Sequence, residues 1–248
     1  MKRRSQMIKV WLISLLFLFF FCQLATASEN RFKQAATAYA IGDYSLASQI
    51  FASMTVEGIS ASLLYNLANS YAKSGKTGLA ILNYERALRL APGDSDISGN
   101  LELVRKEKGI FQEERTLGQR FVVLLGLNQW TILATGTFML FATLLLLPSS
   151  RHIKKNVRSI GVSVCIFLCF GAITGMYGRY AHFHDGVVVV SDARIRISPF
   201  ESAASIGTIR EGRLFTPLKT HNDYVRIVDE TGRTGWLAAS AFTSIASF

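Results

Sequence analysis

Cysteine is scarce. The chain of 248 residues has 3, and only Cys165 and Cys169 lie beyond residue 27. A disulfide-stapled secreted fold is thereby excluded, and the soluble regions must hold together by their own cores. With 19 glycines the composition is not collagen-like either. Carboxylates are outnumbered, 17 Asp+Glu against 27 Lys+Arg, for a formal charge of +10. The absence with the largest consequence is charge itself along Val10–Ala25, Trp130–Leu147 and Ile160–Tyr177, which are mostly apolar. Such runs rule out an evenly globular chain. Wide disorder is ruled out by a hydrophobic content of 50%, because a disordered chain combines low hydrophobicity with high charge.

The first run reads as export machinery. Lys2, Arg3, Arg4 and Lys9 form a basic start, Val10–Leu24 an apolar centre, and Ala25-Thr26-Ala27 a small-residue cleavage site before Ser28. Cleavage after Ala27 is expected, with an uncleaved anchor as the rival. Phe19-Phe20-Phe21 before Cys22 argues against lipidation. The other two runs are each long enough to cross a bilayer as a helix. Trp130 suits an interface, Asn128 can cap the first helix, and Pro148 ends it. Arg151, Lys154, Lys155 and Arg158 mark the connecting loop as cytoplasmic. Both soluble regions then face the same extracytoplasmic side of the membrane. Eight of the positive charges belong to the signal and this loop, so no basic patch of the size nucleic-acid binding needs is left over.

Residues 28–109 carry an internal period. Gly42 and Gly75, Ala47 and Ala80, and Phe51 and Tyr84 are each 33 apart, and Asn66-Leu67 recurs 34 residues on as Asn100-Leu101. Each glycine can end a helix with positive φ, each alanine allows a close helix approach, and Pro92 stops the second unit. The pattern resembles the tetratricopeptide repeat, best at Leu64, Leu67-Ala68, Tyr71, Gly75, Ala80, Tyr84, Ala87 and Pro92. Units at about 28–60 and 61–94 and a capping helix at 95–108 follow. The resemblance implies a concave face with Ser62, Tyr65, Asn66, Asn69 and Lys73 from the second unit and Asn100 and Lys106 from the third. Some relatives grip a C-terminal carboxylate there; Phe32, Ala36 and Asp96 disfavour that here.

Beyond residue 186 the pattern shortens to alternating runs: Val187–Val190, Arg194–Ile197, Leu214–Leu218, Tyr224–Val228 and Gly235–Leu237. Gly212, Asn222-Asp223 and Thr231-Gly232-Arg233 supply turns. Arg194-Ile195-Arg196, Ser198-Pro199, Arg210-Glu211-Gly212 and Gly232-Arg233-Thr234-Gly235-Trp236-Leu237 resemble the bacterial SH3-like domain. That implies a small barrel over 186–248 that binds through aromatic residues, with Phe200, Tyr224 and Trp236 as candidates and Trp236 equally suited to the core.

The fold expected is thus a multidomain membrane protein: an all-α tetratricopeptide-repeat array, an interfacial linker at 110–129, a two-helix transmembrane hairpin (130–147 and 160–177) around the loop 148–159, and an all-β SH3-like barrel. No nucleophile with a base and orienter is visible, so an enzyme is not expected, nor any cofactor. His182-x-His184-Asp185 resembles a metal set, but three ligands would have to come from one extended segment, and no metal is expected. Cys165 and Cys169 are read as small packing residues. Gly171-x-x-x-Gly175 permits close helix packing, with Gly136 and Ala142 as expected partners and self-association as the alternative. The order of parts resembles the BatE-type component of the Bat aerotolerance operons. That implies a scaffold working with membrane proteins that carry von Willebrand A domains and a MoxR-type ATPase. A cell-wall sensor binding peptidoglycan through the SH3-like region is the other reading.

Overall fold

The structure is a computed structural model that describes residues 29–110, 116–146, 155–229 and 232–247. The expected signal segment and most of the basic loop lie outside the described residues.

Five helices build the N-terminal region: α1 (residues 29–40), α2 (Tyr44–Met54), α3 (Ala61–Lys73), α4 (Thr77–Leu90) and α5 (Ser95–Glu107). Their ends are written in the sequence. Asp43, Ser60 and Asp94 each accept a backbone N–H in the first turn of the helix that follows. Gly42 and Gly75 close α1 and α3 at φ +88° and +78°, conformations that cost other residues strain. Ala47, Ala68 and Ala80 are fully buried, which brings the helices of each pair together over Phe51 and Tyr84. This is the helix–turn–helix stacking that the 33-residue period calls for.

Next come α6 (Leu117–Val123), α7 (Leu127–Leu146) and α8 (Lys155–Ala181). The last two are long and apolar enough to cross a membrane, with mean hydropathy 1.5 over Leu127–Leu146 and 2.0 over Asn156–Ala181. They pack antiparallel: Gly175, late in α8, lies under the Trp130 ring near the start of α7, and Gly161 meets Leu144 near its end. Helix α7 starts at Leu127, a turn before the expected Trp130, so Asn128 lies inside it and does not cap it. Gln129 does that work instead, its Oε1 accepting the Gly126 N–H at 2.9 Å. Gly136, an expected partner of the glycine pair, has nothing near it. The glycines of α8 receive side chains of α6 and α7 instead: Gly171 faces Phe121, Gly175 faces Trp130, and Gly178 takes Val122. Helix α6 is thereby held along α8, and the Trp130 indole N–H donates to the Val122 carbonyl at 3.0 Å.

The C-terminal region is one antiparallel sheet of seven strands, β1 (Gly186–Val188), β2 (Ala193–Arg196), β3 (Ser205–Ile209), β4 (Leu214–His221), β5 (Tyr224–Asp229), β6 (Thr234–Ala238) and β7 (Phe242–Ser244). The order across the sheet is β3-β2-β6-β5-β4-β1-β7. Strands β3 and β7 have no counterpart in the sequence reading. Strand β3 buries only its last residue, Ile209, and shows no alternation, and β7 is only three residues long, so neither has a strong period-2 signal. Val188, Ile195, Ile209, Phe215, Val225, Ile227 and Leu237 form the sheet's core.

The repeat region and the sheet are not separate beads. Val187 points away from the sheet core and joins Ile245 in the helical core with Leu64, Ile81, Tyr84, Leu101 and Ile110, as alternation along a strand requires. Helix α4 is the contact element. Lys76 provides no side-chain cap to it; Glu211, from the turn before β4, accepts the Gly78 N–H at 2.6 Å. A carboxylate at a helix start also meets the positive end of the helix dipole. At the far end Arg89 donates to the carbonyls of Phe183 (2.7 Å) and His182 (2.9 Å), and Arg86 to those of Ser244 and Ser247. The fit is close, since a Cβ on Gly78 would lie 2.5 Å from the Val188 carbonyl oxygen.

Candidate functional site

Docking the sheet on α4, a second helix of its pair, leaves the first-helix side of the array open. Three of the residues expected there meet. Asn100 on α5 donates its amide to the Tyr65 hydroxyl at 2.9 Å and to the Asn69 side-chain oxygen at 3.1 Å. The same oxygen accepts the Tyr84 hydroxyl, a member of the tier that sequence reasoning assigned to packing alone. Burial pushes the Tyr84 phenol far above its ordinary range, so it stays protonated and donating. Tyr65 and Tyr84 are tilted against each other with centroids 6.1 Å apart. Tyr65, Asn69 and Asn100 are half-buried, so they join unit to unit and still show polar edges.

The other expected residues stand apart from this tier. Asn66 turns its amide back to the Ser62 carbonyl in its own helix, at 2.8 Å. Lys73 and Lys106 are exposed. Beneath the tier, Arg105 on α5 is paired with Glu85 on α4 at 2.7 Å, both largely buried. That pair tethers the capping helix to the second unit.

In the sheet, Trp236 lies on the outward face. Gly235 and Leu237 on either side are buried while Trp236 is half-exposed, so its reading as core is corrected by the alternation of β6. Its cross-strand partners are Arg196 on β2 and Arg226 on β5. The His221 ring stands 6.2 Å from the indole, and Phe200, 56% exposed, stands 6.4 Å beyond His221. Tyr224 pairs with His221 and with Ala238 and is half-buried. Phe200, Tyr224 and Trp236 therefore share one face, joined by His221, to which no motif points.

The segment leading from α8 to β1 is the third polar cluster. His182 Nδ1 lies 3.0 Å from Asp185, and this hydrogen bond raises the imidazole pKa above its ordinary value, against desolvation. Asp185 also accepts the Thr216 hydroxyl at 3.1 Å. His184 is turned to the rings of Tyr180 and Phe183, so the His-x-His-Asp set does not converge. Among the described residues no group of three or more His, Cys, Asp or Glu is placed to hold a metal ion.

One family model matches the chain, the tetratricopeptide repeat, over residues 61–94, which are α3, α4 and the turn after them. Comparison with curated proteins and with solved structures finds no match. The matched unit, α3 and α4, is of a kind that suggests a protein–protein interaction module.

Proposed function

We propose that this chain is a membrane-anchored interaction scaffold, with its repeat array and its SH3-like barrel both on the extracytoplasmic side, acting in a Bat-type envelope complex. The observation that carries the reading is the division of the array's two sides. The second-helix side is occupied by the sheet through Gly78, Arg86 and Arg89, and the first-helix side, with Tyr65, Asn69 and Asn100, is left for a partner. The hairpin supports the topology, because two regions in contact belong on one side of any bilayer that α7 and α8 cross. Held this way, a partner bound by one region is presented to the other at raised effective concentration. By resemblance, the partners are membrane proteins with von Willebrand A domains.

Gentle detergent extraction and affinity capture of the full chain tests this. Co-purification of such membrane proteins, lost in Tyr65→Ala/Asn69→Ala, is the expected result; monomer alone from stressed cells contradicts it. A second reading is favoured by the outward-facing Phe200–His221–Trp236 rings: the sheet region binds the cell wall. Retention of the full chain on purified sacculi, lost in Tyr224→Ala, supports that reading.

A further inference from the structure

The outward face of the sheet carries more than rings. The cross-strand pairs Arg196–Trp236, Trp236–Arg226 and Arg226–Lys219 place four side chains in one row over β2, β6, β5 and β4. At about 4.8 Å between strands the row is about 14 Å long. We propose that this row binds a polysaccharide that carries carboxylates, with the sugar ring on Trp236 and the carboxylates on the cations to either side. The proposal rests on the second reading above and adds the charge of the ligand.

Three observations lead to it. Lys219 and Arg226 are like charges directly opposite each other, an arrangement that weakens a sheet, and among the described residues no carboxylate pairs with either. An anion between them relieves the repulsion. Arg196 donates to the carbonyls of Ala203 and Glu201, which fixes the turn that carries Phe200, so the ring beyond His221 is held in place. Strands β5 and β6 are each paired on both sides, so an extended peptide cannot add here as a strand. A ligand must lie flat on the face. Pyranose rings do so by setting their C–H face on an indole, and carboxylates spaced along the chain reach guanidinium and ammonium groups.

The test uses the full chain in detergent micelles, with polygalacturonate as the acidic probe, dextran as the neutral one, and purified sacculi. Polygalacturonate is expected to bind and dextran to fail. Lys219→Glu/Arg226→Glu is expected to weaken binding at least about tenfold, as is Trp236→Ala, with Trp236→Phe within about threefold of the parent. Circular dichroism and thermal unfolding of each variant confirm folding. Binding should fall as salt rises. Equal binding of dextran, or charge reversal without effect in a folded variant, overturns the proposal. If sacculi are still retained in that case, the cell-wall reading stands alone; if neither sacculi nor polygalacturonate binds, both fail. Tighter binding of poly-U RNA or of anionic vesicles overturns the choice of ligand.

Discussion

Helices α2 and α4 hold the same place in successive repeats, and their outer faces have diverged. At spacing 33, the exposed Ser45, Ser53 and Val56 correspond to Gly78, Arg86 and Arg89. In α2 the start is capped locally, Asp43 accepting the Leu46 N–H at 2.9 Å, and Val56 just past its end is 89% exposed. In α4 the local cap is missing and Glu211, 133 residues later, supplies it. Glycine allows backbone contact, and two arginines grip carbonyls of the sheet region. The repeat period sets what the two helices share, and docking accounts for where they differ.

Breaking that difference should be easiest at its closest contact. Gly78→Val is expected to destabilise the chain by about 1–3 kcal/mol or more through overpacking against Val188. Ser45→Val, at the equivalent exposed position, should stay within about 0.5 kcal/mol. Thermal unfolding of the full chain in detergent compares them. The caps come next. Glu211→Ala and Asp43→Ala should each cost about 1 kcal/mol, but only the first should expose the seam between α4 and β1 to limited proteolysis. Equal cleavage in both would remove the distinction drawn between the helices.

Inside the array, Tyr84→Phe removes the donor to Asn69, and a loss of about 1 kcal/mol is expected in chemical denaturation. The smallest effect is that of His182. Its pKa is raised in the folded chain by Asp185, so the pair stabilises fully below the ordinary histidine value of 6.5 and fades as pH rises through the raised value. Arg89, Arg179 and Thr216 are the other polar groups around it. Stability measured from pH 6 to 9 should therefore decline slightly, and His182→Asn should flatten the decline.

How much of this could be read from the sequence follows the range of each interaction. Gly42, Gly75, Ala47 and Ala80 act within one repeat, and their spacing revealed the helix pairs and their turns. The charge-free runs announced α7 and α8, though not their ends, because Gln129 caps the first from inside a polar dipeptide that read as a boundary. Tyr65, Asn69 and Asn100 were placed on the open side by the repeat alone. Tyr84 was missed as their partner, since its hydroxyl finds Asn69 only after two units stack. Docking of α4 was invisible for the same reason: Gly78, Glu211 and Gly212 each look like ordinary turn or surface residues until distant chain segments meet. One clue lay in the repeat itself, the loss at Lys76 of the capping acid found at Asp43. Trp236 was ambiguous because a three-residue stretch, Gly-Trp-Leu, does not say which side faces in, and the pairing of β6 with β5 decides it.

Amide hydrogen exchange on the full chain in nanodiscs tests the docked arrangement most directly, comparing the first turns of α2 and α4 in the parent and in Glu211→Ala. The expected result is strong protection of Gly78 in the parent, lost in the variant, with Leu46 unchanged in both. Equal exchange at Gly78 with and without Glu211, while Leu46 remains protected, would contradict it.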